Sequence, residues 1–279
     1  MVAAAAEAAG HTVTVIPFNK ALTTREGAGW LTRGRLVAHC LLVETAKGLV
    51  LVDTGMGLDD LRDPVRRIGR AMLTLGGPTL AESGTAVRQV EALGYSPRDV
   101  THVVVTHLDL DHAGGLPDFP HAKVHVNGAE LDAATARATL MERERYKPFH
   151  WAHGPAWERR AATGDRWMGF EAVRAVTGRD PEVVIVPLPG HTRGHAAVAV
   201  QDGARWLVHG GDAYFHRDEV HGEPARCPPG LALFQRVVAI DDGLRRANQA
   251  RLRELARAHK DVTVFSAHDP EEFDALAGR

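Results

Sequence analysis

Four short apolar runs in this chain end in loops that carry histidine or aspartate, and this recurrence restricts the fold more than any other feature. Residues 100–106 (VTHVVVT) lead directly into His107-Leu108-Asp109-Leu110-Asp111-His112-Ala113-Gly114-Gly115. Residues 183–188 end in Pro189-Gly190-His191-Thr192, 205–208 in Gly210-Gly211-Asp212, and 262–265 in Ser266-Ala267-His268-Asp269. Short apolar runs bounded by turn residues read as buried strands. In α/β proteins the residues just past strand carboxyl ends gather at one rim of the sheet. The spacing therefore predicts that His107, Asp109, Asp111, His112, His191, Asp212 and His268 converge. Burying several carboxylates and imidazoles together is costly unless cations neutralise them. Nitrogen and oxygen donors without thiolates suit zinc, iron or manganese rather than a structural cysteine-rich zinc site. If the loop at 107–112 is extended, His107, Asp109 and Asp111 project to one side and His112 to the other, an arrangement that serves two nearby ions.

The rest of the chain fits the same class. Residues 36–44 and Gly48–Val52 read as strands joined by a turn, the second apolar enough to be buried on both faces. Helical spacing over 78–93 places Leu80, Val87, Val90 and Leu93 on one face. A strand over 122–126 precedes a helix over 128–138; 196–200 and 205–208 form a hairpin about Asp202-Gly203; a helix spans 241–259. With no linker or repeat, residues 1–279 read as a single α/β domain. The regular pattern fails over 140–170, which holds six of the 16 aromatic residues. That window reads as an insertion whose rings either pack on the core or form a cap over a substrate pocket, with Tyr146, Phe149, Trp151 and Trp157 as pocket candidates.

Composition narrows the function classes. Lys+Arg is 33 against Asp+Glu 35, a net charge of -2, so no global basic field attracts nucleic acid or an anionic membrane. No run of about 18 apolar residues marks a membrane span. Residues 1–10 lack the basic start and apolar core of a secretory signal. The two cysteines, Cys40 and Cys227, belong to no Cys-x-x-Cys pair and read as reduced thiols. A soluble, cytoplasmic protein acting on a small molecule is expected, with a homodimer built on part of the 140–170 segment left open.

THLDLDHAGG followed in order by PGHT, GGD and SAHD, with VDTG at 52–55, resembles the metallo-β-lactamase-fold hydrolases over residues 36–273. The resemblance implies an αββα four-layer sandwich with a dinuclear metal site at the sheet edges. By position, it implies one ion held by His107, the residue at 109 and His191, a second held by Asp111, His112 and His268, and Asp212 bridging them. Asp53 and His195 match supporting positions behind the ligands. The family motif is usually H-x-H-x-D-H, so Asp109 is a departure: it either coordinates through oxygen or weakens its site to leave one tightly held ion. Zinc is the expected metal, with iron or manganese as alternatives. The implied chemistry is attack on an ester-type carbonyl by a metal-bridging hydroxide that Asp111 orients, with Tyr214 as a candidate proton donor. No Gly-x-Ser-x-Gly is present to supply a serine nucleophile instead. Lactonase-type members are most similar, although they carry His at 109 and a tyrosine three residues beyond the bridging Asp. A glyoxalase II-like thioesterase, a mononuclear iron oxygenase and a non-catalytic metal-binding module are the alternatives.

Overall fold

The computed structural model describes residues 13–24, 34–161, 166–175 and 181–277. The segment 1–10, read above for a secretory signal, lies outside them. In chain order the strands are β1 (Val13–Thr24), β2 (Gly34–Thr45), β3 (Gly48–Val52), β4 (Val100–Val104), β5 (Lys123–Asn127), β6 (Ala156–Arg160), β7 (Arg166–Trp167), β8 (Phe170–Glu171), β9 (Val173–Arg174), β10 (Val183–Pro187), β11 (Ala196–Asp202), β12 (Arg205–His209) and β13 (Val262–Phe265). A six-stranded sheet runs β1-β2-β3-β4-β5-β6 and a five-stranded sheet β13-β12-β11-β10-β9, with β7-β8 a separate hairpin. β1, β2 and β3 are antiparallel neighbours, whereas β3 through β6 pair in parallel. In the second sheet only β12 and β13 are parallel.

Strand periodicity explains the layers. Alternate residues point to opposite faces of a strand, and the central strands here are apolar on both. From β2, Val37, Leu41 and Val43 meet Ile185, Val198 and Val200 between the sheets, while Ala38, Cys40 and Leu42 face outward. That outer face packs against Val87 and Val90 of the helix Ala86–Ala92 and Leu131 and Ala134 of the helix Gly128–Ala136. On the far side, Val184, Val186 and Val208 pack against Leu252 and Leu255 of the helix Asp242–Ala258. The order is therefore helix, sheet, sheet, helix, the expected αββα sandwich. Each fully buried Leu, Ile or Val contributes roughly 1.5–3 kcal/mol, so this doubly covered pair of sheets is a rigid support for the loops at its rim.

Two expected elements differ. The helix read over 78–93 begins only at Ala86, after Thr85, and both Leu80 and Leu93 are exposed. The Gly128 helix ends at Ala136, where Arg137 turns left-handed with φ 44°. The 140–170 segment is not one unit. Helix Leu140–Arg145 and edge strand β6 lie with the first sheet, where Tyr146, Trp151 and Trp157 pack on its outer core. Trp167 and Phe170 pack instead on the outer face of the second sheet, with Trp167 edge-on to Trp206 at 5.2 Å. The rings are divided between two cores because their backbone joins two different sheets, so they do not form a common aromatic cap.

Candidate metal centre

The loops that follow β3, β4, β10, β12 and β13 meet at one edge of the sandwich. Backbone hydrogen bonds tie them together: Thr54 N to His112 O (2.7 Å), Ala196 N to Thr106 O (2.9 Å), Ala267 N to Gly211 O (3.1 Å) and Val37 N to His268 O (3.1 Å). Two glycines make the approach possible. A Cβ on Gly194 would stand 2.0 Å from the Glu130 backbone nitrogen, and one on Gly211 would stand 2.5 Å from His195 Nε2, where φ is also +53°.

All seven residues singled out in the sequence come together there. His107, Asp109, His191 and Asp212 place one donor atom each within 4.8 Å of one another, as do Asp111, His112 and His268. Asp212 touches both groups: Oδ2 is 3.2 Å from His191 Nε2 and 3.8 Å from His107 Nε2, while Oδ1 is 3.1 Å from His112 Nε2 and 2.9 Å from His268 Nε2. Asp109 Oδ2 lies 3.0 Å from His191 Nε2 and 3.4 Å from His107 Nε2, so the departing aspartate faces its group rather than solvent. The expected extended loop changes at this residue. Asp109 caps a single helical turn, Leu110–Ala113, which brings Asp111 and His112 to the same group instead of opposite sides.

Behind the cluster, His107, His112 and His268 are each oriented through Nδ1, the first by the Thr106 hydroxyl at 3.0 Å, whereas His191 Nδ1 is buried without a hydrogen-bond partner. His112 Nδ1 meets Asp53 Oδ2 at 2.8 Å, and His268 Nδ1 meets the Val37 carbonyl at 2.7 Å. Asp53, itself left-handed with φ 54°, also accepts from the backbone and hydroxyl of Thr106 at 2.7 and 2.8 Å. His195 Nδ1 meets the Leu188 carbonyl at 2.9 Å while Nε2 accepts from Asp212 N at 2.9 Å, so it positions Asp212 without facing the cluster. Such contacts fix the tautomer that leaves Nε2 lone pairs free for a cation.

The buried donors fit divalent metal. His107 Nε2, His112 Nε2 and Asp212 Oδ1 are buried without a hydrogen-bond partner. Burial opposes charge on His112, but Asp212, Asp111 and Asp53 outweigh it and raise its affinity for a proton well above that of an ordinary histidine. Burial likewise opposes charge on Asp212, yet His268, His112, His191 and His107 hold its carboxyl well below the usual range. A field that draws a proton to this position also draws a metal cation.

The remaining candidates fall elsewhere. Tyr214 is fully buried, and its hydroxyl donates to Glu272 Oε1 at 2.9 Å. Burial and that carboxylate raise its pKa well above the normal phenol value, and with its hydroxyl committed to Glu272 the geometry does not support the expected role as proton donor. The ring that lies on the cluster is Phe215, stacked on His268 at 4.7 Å between centroids and edge-on to Phe234 at 5.8 Å. Tyr146, a pocket candidate, is also fully buried and donates to Glu130 Oε1 at 3.0 Å. Phe149 lies under the Arg67 guanidinium at 4.8 Å, and Trp151 and Trp157 pack on the first core.

Two residues at the site were not legible in the sequence. Glu130, fully buried, accepts from Leu108 N (3.0 Å), Thr192 Oγ1 (2.6 Å), Gly194 N (3.0 Å) and Tyr146, locking the 107 and 191 loops together. Arg145 sits 3.3 Å from Asp109 Oδ1 and donates to the His191 carbonyl at 2.7 Å. A charged residue in a polar helical stretch gives no signal of burial; only the helix placement reveals it.

The model for the metallo-beta-lactamase superfamily matches residues 33–268. The chain belongs to that superfamily. It is similar to a probable metallo-hydrolase of Mycobacterium tuberculosis, 45% identical over 237 residues covering 85% of this chain and 76% of the relative. It is also similar to an N-acyl homoserine lactonase of Bacillus thuringiensis, 27% identical over 250 residues, covering 87% and 86%. In fold it matches an N-acyl homoserine lactone hydrolase solved with N-hexanoyl-L-homoserine at its catalytic metal center, with TM-score 0.70 and 23% identity over 94% of this chain and 95% of that one. The dizinc quorum-quenching lactonase AidC matches with TM-score 0.58 and 15% identity, covering 94% and 88%. The protein is thus a metallo-hydrolase with lactonase-like relatives. Among the described residues, no helix is long and apolar enough to cross a membrane.

Proposed function

We propose that this protein is a dinuclear metal-dependent hydrolase that opens an ester-type carbonyl bond, a lactone or related ester, in a small molecule. The observation that carries the reading is the division of seven donors into two groups that share Asp212. His107, Asp109, His191 and Asp212 would hold one ion, and Asp111, His112, His268 and Asp212 the other. Two divalent cations, zinc foremost and iron or manganese also fitting the donors, would polarise a carbonyl oxygen and bring the pKa of a water down towards about 7.

The side chains then divide the work. Asp111 is the most open member of the cluster, its side chain 25% exposed against 5% for Asp212. We assign it the role of accepting a proton at a carboxylate oxygen, a role its greater exposure supports. Asp53 and the Val37 carbonyl keep His112 and His268 aimed at the centre. Phe215 and Phe234 form an apolar wall beside it, suited to the hydrocarbon part of an ester and to excluding bulk water. The lactonase-like relatives favour a lactone over a thioester within this class. The proposal extends to a cytoplasmic protein without a nucleic-acid partner, a reading supported by the balanced charge and the free cysteines.

The test is metal analysis of protein purified without chelator, combined with turnover of lactones, aryl esters and thioesters. Close to two zinc or manganese ions per chain and lactone or ester hydrolysis abolished by chelation are expected. A single iron with oxygen uptake, or no turnover across the panel at full metal occupancy, would overturn the reading.

A further inference from the structure

The aspartate at position 109 gives the cluster three carboxylates, Asp109, Asp111 and Asp212, and the structure sets one cation against them. Arg145 closes the helix Leu140–Arg145 and has a side chain only 8% exposed. Its guanidinium is fixed by the carbonyls of His191 and of Val238, the last residue of the helix Pro229–Val238, where the helix dipole favours positive charge. Held there, its Nε stands 3.3 Å from Asp109 Oδ1, an ion pair without a hydrogen bond. Among the described residues, no other lysine or arginine forms an ion pair with any of the seven cluster residues. The carboxylate is thereby divided: Oδ1 faces the arginine, and Oδ2 faces His191 Nε2 and His107 Nε2. Its backbone is fixed too, because the Asp109 carbonyl accepts from His112 N and Ala113 N at 3.1 and 2.9 Å.

We propose that Arg145 is a positioning residue that pairs with Asp109 as one unit, so that the aspartate offers a single oxygen and almost no net charge, as a histidine would. This rests on the metal-site reading above and refines it. A buried cation beside a metal would repel it, and a buried carboxylate without its cation would repel Asp212; each residue is tolerated because the other is present. A neutral histidine at 109 therefore belongs with a neutral residue at 145, and an aspartate with an arginine.

The experiment measures zinc retained against graded chelator, and thermal midpoints in excess chelator, for wild type, Asp109→His, Arg145→Met, Asp109→His/Arg145→Met and Asp109→His/Arg145→Lys. Asp109→His alone is expected to weaken zinc retention roughly 10- to 100-fold, the range for a lost supporting contact. Adding Arg145→Met should recover most of that loss, whereas adding Arg145→Lys, which keeps the charge, should not. In the metal-free protein, the drop in midpoint for Asp109→His/Arg145→Met should be smaller than the sum of the single drops. Additive effects, or equal recovery with lysine, would show that Arg145 acts only as a backbone tether and overturn the pairing. Wild type that retains no zinc while the metal-free midpoints still couple would instead overturn the metal reading and leave the pairing standing.

Discussion

The two halves of the cluster are supported by different layers of the sandwich. Asp111, His112 and His268 are backed by Asp53 at the end of β3 and by the Val37 carbonyl of β2. His107, Asp109 and His191 are backed by Glu130 and Arg145, which come from the helices Gly128–Ala136 and Leu140–Arg145. The first support is one carboxylate on a strand end, fixed by the sheet hydrogen bonds themselves. The second is a carboxylate and a guanidinium brought in from outside the sheet, and it carries the departure at position 109. A half built on strands keeps its donors through sheet register; a half built on helices depends on helix placement and can change its ligand chemistry.

Asp212 belongs to both halves, so its loss is the largest expected effect. Asp212→Ala should release both ions and lower hydrolysis by more than about 100-fold, beyond the cost of a lost supporting contact. Retention of one tightly held ion in that variant, read by metal analysis, would show that the halves are independent. Asp53→Asn bears first on the strand-backed half, because Asp53 meets His112 directly and reaches His107 only through the Thr106 hydroxyl. Asparagine tolerates the left-handed backbone at 53, so the change falls mainly on the charge facing His112 and should weaken the ion at His112 about 10- to 100-fold and the other ion less. Equal weakening of both ions in a chelator titration would erase the distinction between the supports.

Glu130→Gln tests the helix-backed half. Either orientation of the amide aims its NH2 at donors: Leu108 N and Tyr146 Oη on one side, Thr192 Oγ1 and Gly194 N on the other. Loss of charge-assisted bonds here should cost about 3 kcal/mol in chemical denaturation and loosen the ion at His107 and His191 more than the other. The smallest effect is expected for Tyr214→Phe, whose hydroxyl serves Glu272 away from either half. It should cost about 1 kcal/mol of stability and leave kcat within roughly 2-fold; a kcat loss of about 10-fold or more with a shifted pH profile would reinstate a proton-transfer role.

Legibility in the sequence followed the same division. The strand-end loops were readable because an apolar run followed by a turn fixes where a side chain emerges, and sheets collect such ends at one rim. Asp53 and His195 were placed behind the ligands by resemblance, and both are found touching residues of the cluster. Tyr214 was misassigned because a tyrosine near the site says nothing about the direction of its ring; the next residue, Phe215, faces the cluster instead. The aromatic segment misled for a related reason. Ring content over 140–170 is visible in composition, but its division between two sheets depends on β6 pairing with β5 and on Phe170 and Trp167 crossing to the other side.

The sequence alone determined the class of fold, the order of strands that carry donors and the seven residues that meet, because hydrophobic periodicity and loop position are local properties of the chain. Tertiary structure alone decided how the charges balance. Arg145 and Asp109 are 36 positions apart, and Glu130 reaches the 107 and 191 loops from a third element. Electrostatic compensation acts through space over a few ångströms, and only the packing of helices against sheet rims sets those distances.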